Sequence, residues 1–156
     1  MKQNLNKLQL ISYSVTMLIA LIILCDFVFP GNVFTEEVLE VKQTREQYYN
    51  AAANYHFSYQ VITPKHRFYV SDEFAAIAEQ AEIRYSVSLI FKEINRYGLS
   101  NTDESETYIL RLLAGLAFPL IVILVIVIAY FTRKKISTLL FVLQALLIVD
   151  LVILIR

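Results

Sequence analysis

The chain has 156 residues, 57% of them hydrophobic, with three Gly, three Pro and no Trp. So apolar a composition excludes an ordinary soluble domain and points to the membrane class. The formal net charge is zero, yet residues 31–107 carry seven basic and twelve acidic side chains, while Lys2, Lys7, Arg133, Lys134 and Lys135 cluster in the flanks. An acidic middle lacks the basic footprint that nucleic-acid binding requires.

Residues 8–29 form the first run long enough to cross a bilayer, which takes about 20 apolar residues, and Pro30-Gly31 stops it. Cys25 is the only cysteine, so no internal disulfide or cysteine-based metal cluster can form. Leu24 precedes it and no Ala-x-Ala follows, so the run is expected to stay as an anchor helix with a buried thiol.

Residues 31–107 are long enough for a small folded module. "TEEVLEVKQTREQYY" reads as a strand leaving the first span, although its pattern also admits a helix. "YHFSYQVITPKHRFYV" reads as a hairpin about Thr63-Pro64-Lys65, with Tyr55, Phe57, Tyr59 and Val61 on one face. Ser71 is a candidate N-cap for a short helix, and Asp72 and Glu73 suit its positive end. In "IRYSVSLIF", Ile83, Tyr85, Val87, Leu89 and Phe91 alternate with polar residues, the mark of a half-buried strand. "GLSNTDESET" follows as a polar linker. The expected module is one compact antiparallel sheet with one helix.

No catalytic signature emerges from it. His56 and His66, on opposite arms of the hairpin, lack the further ligands of a closed zinc site and read as surface imidazoles. There is no Gly-rich phosphate loop, no nucleophile elbow and no paired-carboxylate arrangement. The expected chain is non-enzymatic, with no cofactor and no metal. Tyr48, Tyr49, Tyr55, Tyr59, Tyr69, Tyr85 and Tyr97 suit either a partner interface or ordinary strand faces, and strand composition is the simpler reading.

Residues 108–131 form a second span and residues 136–155 a third, joined so tightly that they must be antiparallel neighbours. Basic residues mark the cytoplasmic side, which puts the N-terminus and the Arg133–Lys135 turn inside. Residues 31–107 and the C-terminus are then outside. The fold class expected is an α+β integral membrane protein, three transmembrane helices with a small β-rich exported module between the first and second. The expected setting is a cell membrane crossed more than once, a bacterial inner membrane.

Charges inside the spans carry the functional expectation, since a carboxylate near the bilayer centre costs about 2.5–3.5 kcal/mol on insertion scales. At 1.5 Å per residue, Asp26 and Arg111 lie ~4–5 Å from the outer ends of their spans and Asp150 ~7–8 Å. Arg111 is therefore expected to pair with Asp150, Asp26 or both. Ser12, Thr16 and Ala20 form a stripe of small residues, as do Ala114 and Gly115 beside Arg111. Pro119 frees the Gly115 carbonyl, so a kink is expected there. Gln144, near mid-span, shares a face with Ser137 and points ~120° away from Asp150. One of these directions suits the bundle, the other a second copy or another membrane protein. Besides the lipid bilayer, the expected partners are a membrane protein or further copies of the chain. An accessory or scaffold subunit is the leading function; an exported-side sensor or ligand-binding module, and a homo-oligomeric transporter or ion conductor using the buried acids, are the alternatives.

Overall fold

A computed structural model describes residues 7–47, 55–132 and 137–155. Lys2 and Arg133–Lys135, which carry the orientation expectation, lie outside the described residues, as do Tyr48, Tyr49 and the side chains of Tyr55 and Ser137. The protein is α+β and divides into two compact units, one helical and one built on two small antiparallel sheets.

The helical unit comprises Met1–Pro30, Ser88–Glu93 and Leu110–Arg156. Helix α1 runs over Lys7–Val28. The second apolar helix is composite: α3 (Ile109–Leu112), a π-helical turn (Leu113–Ala117) and α4 (Phe118–Thr132). Helix α5 spans Ser137–Ile155. All three helices are long and apolar enough to cross a membrane. Ala20, Ile23, Val122, Ile126, Leu140 and Leu147 form their shared core. Leu18, Leu124, Phe141 and many other large apolar side chains remain exposed. That apolar-outside surface suits lipid as the surrounding medium.

Pro119 shapes the second helix. It has no N–H for the Gly115 carbonyl, and the chain answers with a π turn in which the Phe118 N–H donates to the Leu113 carbonyl. Gly115 sits in that turn against Phe27 of α1; a Cβ there would lie 2.5 Å from Phe27 Cδ2. Glycine is thus what permits the approach. Cys25, expected to be buried, is exposed on α1, because the neighbouring Asp26 takes the inward direction.

The second unit comprises Gly31–Val87 and Ile94–Ile109. Strands β1 (Asn32–Glu37), β5 (Glu82–Val87) and β6 (Ile94–Leu99) form one sheet in the order β1-β5-β6. Strands β2 (Glu40–Gln47), β3 (Tyr55–Ile62) and β4 (Arg67–Val70) form the other, and α2 covers Asp72–Ala78. There are two sheets rather than the one expected. The chain crosses between them at Val38-Leu39, whose N–H groups donate to Ala81 and Ile62 carbonyls, one in each direction. A single core, with Val61, Phe68, Phe74, Ile83, Tyr85 and Tyr97, serves both sheets and the helix.

Several elements fall where the pattern put them. β3 and β4 form the hairpin about residues 63–66, and Ser71 caps α2 through the Phe74 N–H at 3.1 Å. The ambiguous segment is extended but not one strand: within its described part it holds the end of β1 and all of β2, broken at Val38-Leu39 where the chain changes sheets. Two further readings need correction. Strand β5 stops at Val87, so Leu89 and Phe91 do not continue its face. Strand β6 occupies the start of the expected linker; Asn95 and Tyr97 both point inward, and the polar Asn95 hides the apolar alternation. At Gly98 the missing side chain admits the Glu104 carbonyl, letting 104–106 fold back so that Tyr97 and Glu106 exchange backbone hydrogen bonds.

Candidate functional site

Two polar clusters interrupt the apolar helices. The first centres on Asp26, 3% exposed, whose Oδ2 lies 3.1 Å from Arg111 Nη2. The Arg111 guanidinium also lies 5.6 Å from the Phe27 ring centroid, a cation–π distance. Asp26 Oδ1 accepts hydrogen bonds from the backbone N–H groups of Ile90 at 2.7 Å and Phe91 at 3.4 Å. One carboxylate therefore holds both the second helix and the 88–93 loop. Such a pair tolerates burial only because charge and lone pairs are both satisfied.

Two further acids feel this centre. Asp150 interacts electrostatically with Arg111 but makes no direct ion pair with it, and its buried Oδ2 accepts no hydrogen bond among the described residues. Glu93 sits half-buried beside the loop; burial pushes its pKa above the usual carboxylate value, Arg111 pulls it down and Asp26 pushes it up. Three carboxyl groups thus share the field of Arg111.

The second cluster ties α5 to α1. Gln144 Nε2 donates to Ser12 Oγ and Thr16 Oγ1, each at 2.9 Å. Thr16 Oγ1 donates to the Ser12 carbonyl at 2.8 Å, which leaves it free to accept from Gln144. The three side chains line a cleft of about 250 Å³ with Val15 and Leu147. Gln144 Oε1 has no partner among the described residues. Ser137, expected to share this face, has no described side chain. Between the two clusters, Ala20 and Ile23 of α1 are fully buried.

A third polar network lies within the sheet unit. Tyr85, 1% exposed, donates its hydroxyl proton to Glu36 Oε2 at 2.7 Å. It must then accept from His66 Nδ1 at 2.8 Å, which places a proton on that ring nitrogen. Thr63 Oγ1 accepts from the His66 N–H and donates to the His66 carbonyl, pinning the turn. Lys65 reaches Glu36 Oε1 at 3.3 Å and lies over the Phe34 ring. Burial works to raise the Glu36 pKa, but the hydrogen bonds from Tyr85 and Lys65 outweigh it and hold the group below its ordinary value. Burial pushes Tyr85 up to about 12. Every group here has a structural partner, so the network is a latch.

The structure therefore brings Asp26 and Arg111 into contact, leaves Asp150 at one remove, and turns Gln144 inward. His66 is a turn anchor, while His56 stands opposite Glu46 in the β2–β3 register, three residues beyond the last β3–β4 pair. Among the described residues no group of three His, Cys, Asp or Glu side chains is arranged to hold a metal ion. Tyr85 and Tyr97 are core residues, and Tyr69 stacks on Tyr108 at 6.0 Å. Sequence reasoning missed the loop amides at Asp26, the role of Glu93 and the Glu36–Tyr85–His66 network, because each depends on register or chain return. No family model matches this sequence, and no curated protein or solved structure is detectably similar to it.

Proposed function

We propose that this protein is a non-enzymatic, three-span subunit that assembles with another membrane protein or with further copies of itself, as an accessory or scaffold. In this reading the N-terminus is cytoplasmic, residues 31–107 are exported, and the host is a bacterial inner membrane. The supporting observation is the surplus of polar capacity on α5. Gln144 lines a cleft on the apolar surface, and Asp150 Oδ2 accepts no hydrogen bond among the described residues. A polar group left unpaired in apolar surroundings costs about 1–3 kcal/mol, and a helix from another subunit that brings a donor to the Gln144 cleft removes that cost. Conduction fits less well: Ala20 and Ile23 interpose close apolar packing between the two polar clusters.

The test is gentle solubilisation from the native membrane, sizing of the particle and identification of what co-purifies. A reproducible complex is expected from the wild type and its dissociation from Gln144→Leu combined with Asp150→Leu. A wild-type particle holding one copy of this chain alone overturns the reading.

A further inference from the structure

The alternation that begins in β5 runs on through Leu89 and Phe91, beyond the end of the strand, and the sheet unit does not absorb it. Residues 88–93 instead belong to the helical unit. Their loop is closed at its neck: the Ser88 N–H donates to the Glu93 carbonyl at 2.8 Å, and the Glu93 N–H to Ser88 Oγ at 3.0 Å. Lys92, at φ 61°, makes the left-handed turn that brings the chain back. Phe91 packs against the helical core, whereas Leu89 and Ile90 are 53% and 56% exposed at the apex.

Asp26 sets the level of that apex. It lies two residues before the end of α1 at Val28, ~3 Å along the axis. Its hydrogen bond to the Ile90 N–H at 2.7 Å therefore holds the loop within the length of α1 rather than past its end. Val28 and Leu110, in the same unit, likewise leave large apolar side chains exposed. Lys92 is exposed, and a lysine there can extend its ammonium to the headgroups while its stem follows apolar surface.

We infer that residues 88–93 form an interfacial loop, held by Asp26, whose Leu89 and Ile90 side chains enter the acyl-chain edge of the leaflet at the Val28 end of α1. The occupant of this surface is lipid. The inference rests on the reading that the three apolar helices cross a bilayer.

The chain contains no tryptophan, so an introduced indole reports alone. Ile90→Trp, Leu89→Trp and, as a mid-span reference, Leu146→Trp (the native side chain is 50% exposed and central in α5) are reconstituted separately in phosphatidylcholine vesicles. The acyl chains are brominated either near the headgroup or near the bilayer centre. The loop indoles are expected to emit blue-shifted light and to be quenched most by the shallow bromines, Leu146→Trp most by the deep ones. Loop indoles that iodide quenches and brominated chains do not would overturn the proposal. A blue-shifted indole insensitive to every bromine also overturns it, because protein would then cover the loop. If Leu146→Trp is unquenched as well, the membrane reading fails and the loop proposal falls with it.

Discussion

Asp26 serves two partners with two oxygens, and this decides what a substitution there does. Asp26→Asn keeps an acceptor for the Ile90 and Phe91 amides but gives up the charge opposite Arg111. Removing one member of a buried pair typically costs about 3–5 kcal/mol. Exchanging the pair, with Asp26→Arg and Arg111→Asp together, preserves the formal charges but supplies no acceptor to the loop. We expect the exchanged protein to stay below the wild type in thermal midpoint in mild detergent, and no higher than Asp26→Asn. Full recovery would show that the ion pair alone matters. Glu93 has the opposite character. Its pKa is higher in the folded protein, so its contribution is present below its ordinary 4.5 and is lost as pH rises through the folded value. At pH 7 its charge is therefore a liability. Glu93→Gln should raise the thermal midpoint at pH 7, and the gap should close as the pH is lowered towards 4. A gap that does not change with pH would mean that burial does not raise the Glu93 pKa in the folded protein.

Within the elements, the π turn links a sequence signal to a packing contact. Pro119 in an apolar run announced a disturbed backbone, because a missing N–H is a covalent fact. That the disturbance takes the form of a π turn, with Gly115 against Phe27, depends on the facing helix. Gly115→Ala should destabilise by about 1–3 kcal/mol, the usual cost of overpacking. Phe27→Leu, added to it, should return part of that loss in the same thermal assay. A neutral Gly115→Ala would mean that α1 and the second helix separate easily. The strands show the same division. The buried face of β5 was legible from Ile83, Tyr85 and Val87. β6 was not, since its inward Asn95 breaks the apolar pattern and is accommodated only by contacts the fold supplies.

For the molecule as a whole, the two units differ in how their interiors could be read. In the helical unit the apolar runs are so long that membrane-scale helices follow from composition alone. Within the sheet unit the hairpin and the Ser71 cap were local and visible. Its division into two sheets was not, because one crossing at Val38-Leu39 changes the partner of every strand without changing any strand's pattern. The Glu36–Tyr85–His66 latch follows from that crossing: Phe34 stands opposite Tyr85 in the β1–β5 register, which leaves Glu36, two residues on, to reach the hydroxyl.

Depth along the helices narrowed the partners of Arg111 to two acids, since rise per residue is a constant of the α-helix. Rotation about those helices, and a loop returning from β5, then selected Asp26 and left Asp150 at one remove. Chain order thus specified helices of membrane-crossing length, a cap, a hairpin and the positions of buried charge, all of which follow from covalent structure and short-range periodicity. Pairing, register and the docking of residues 88–93 arise from contacts between segments far apart in the chain, and local pattern carries no record of them.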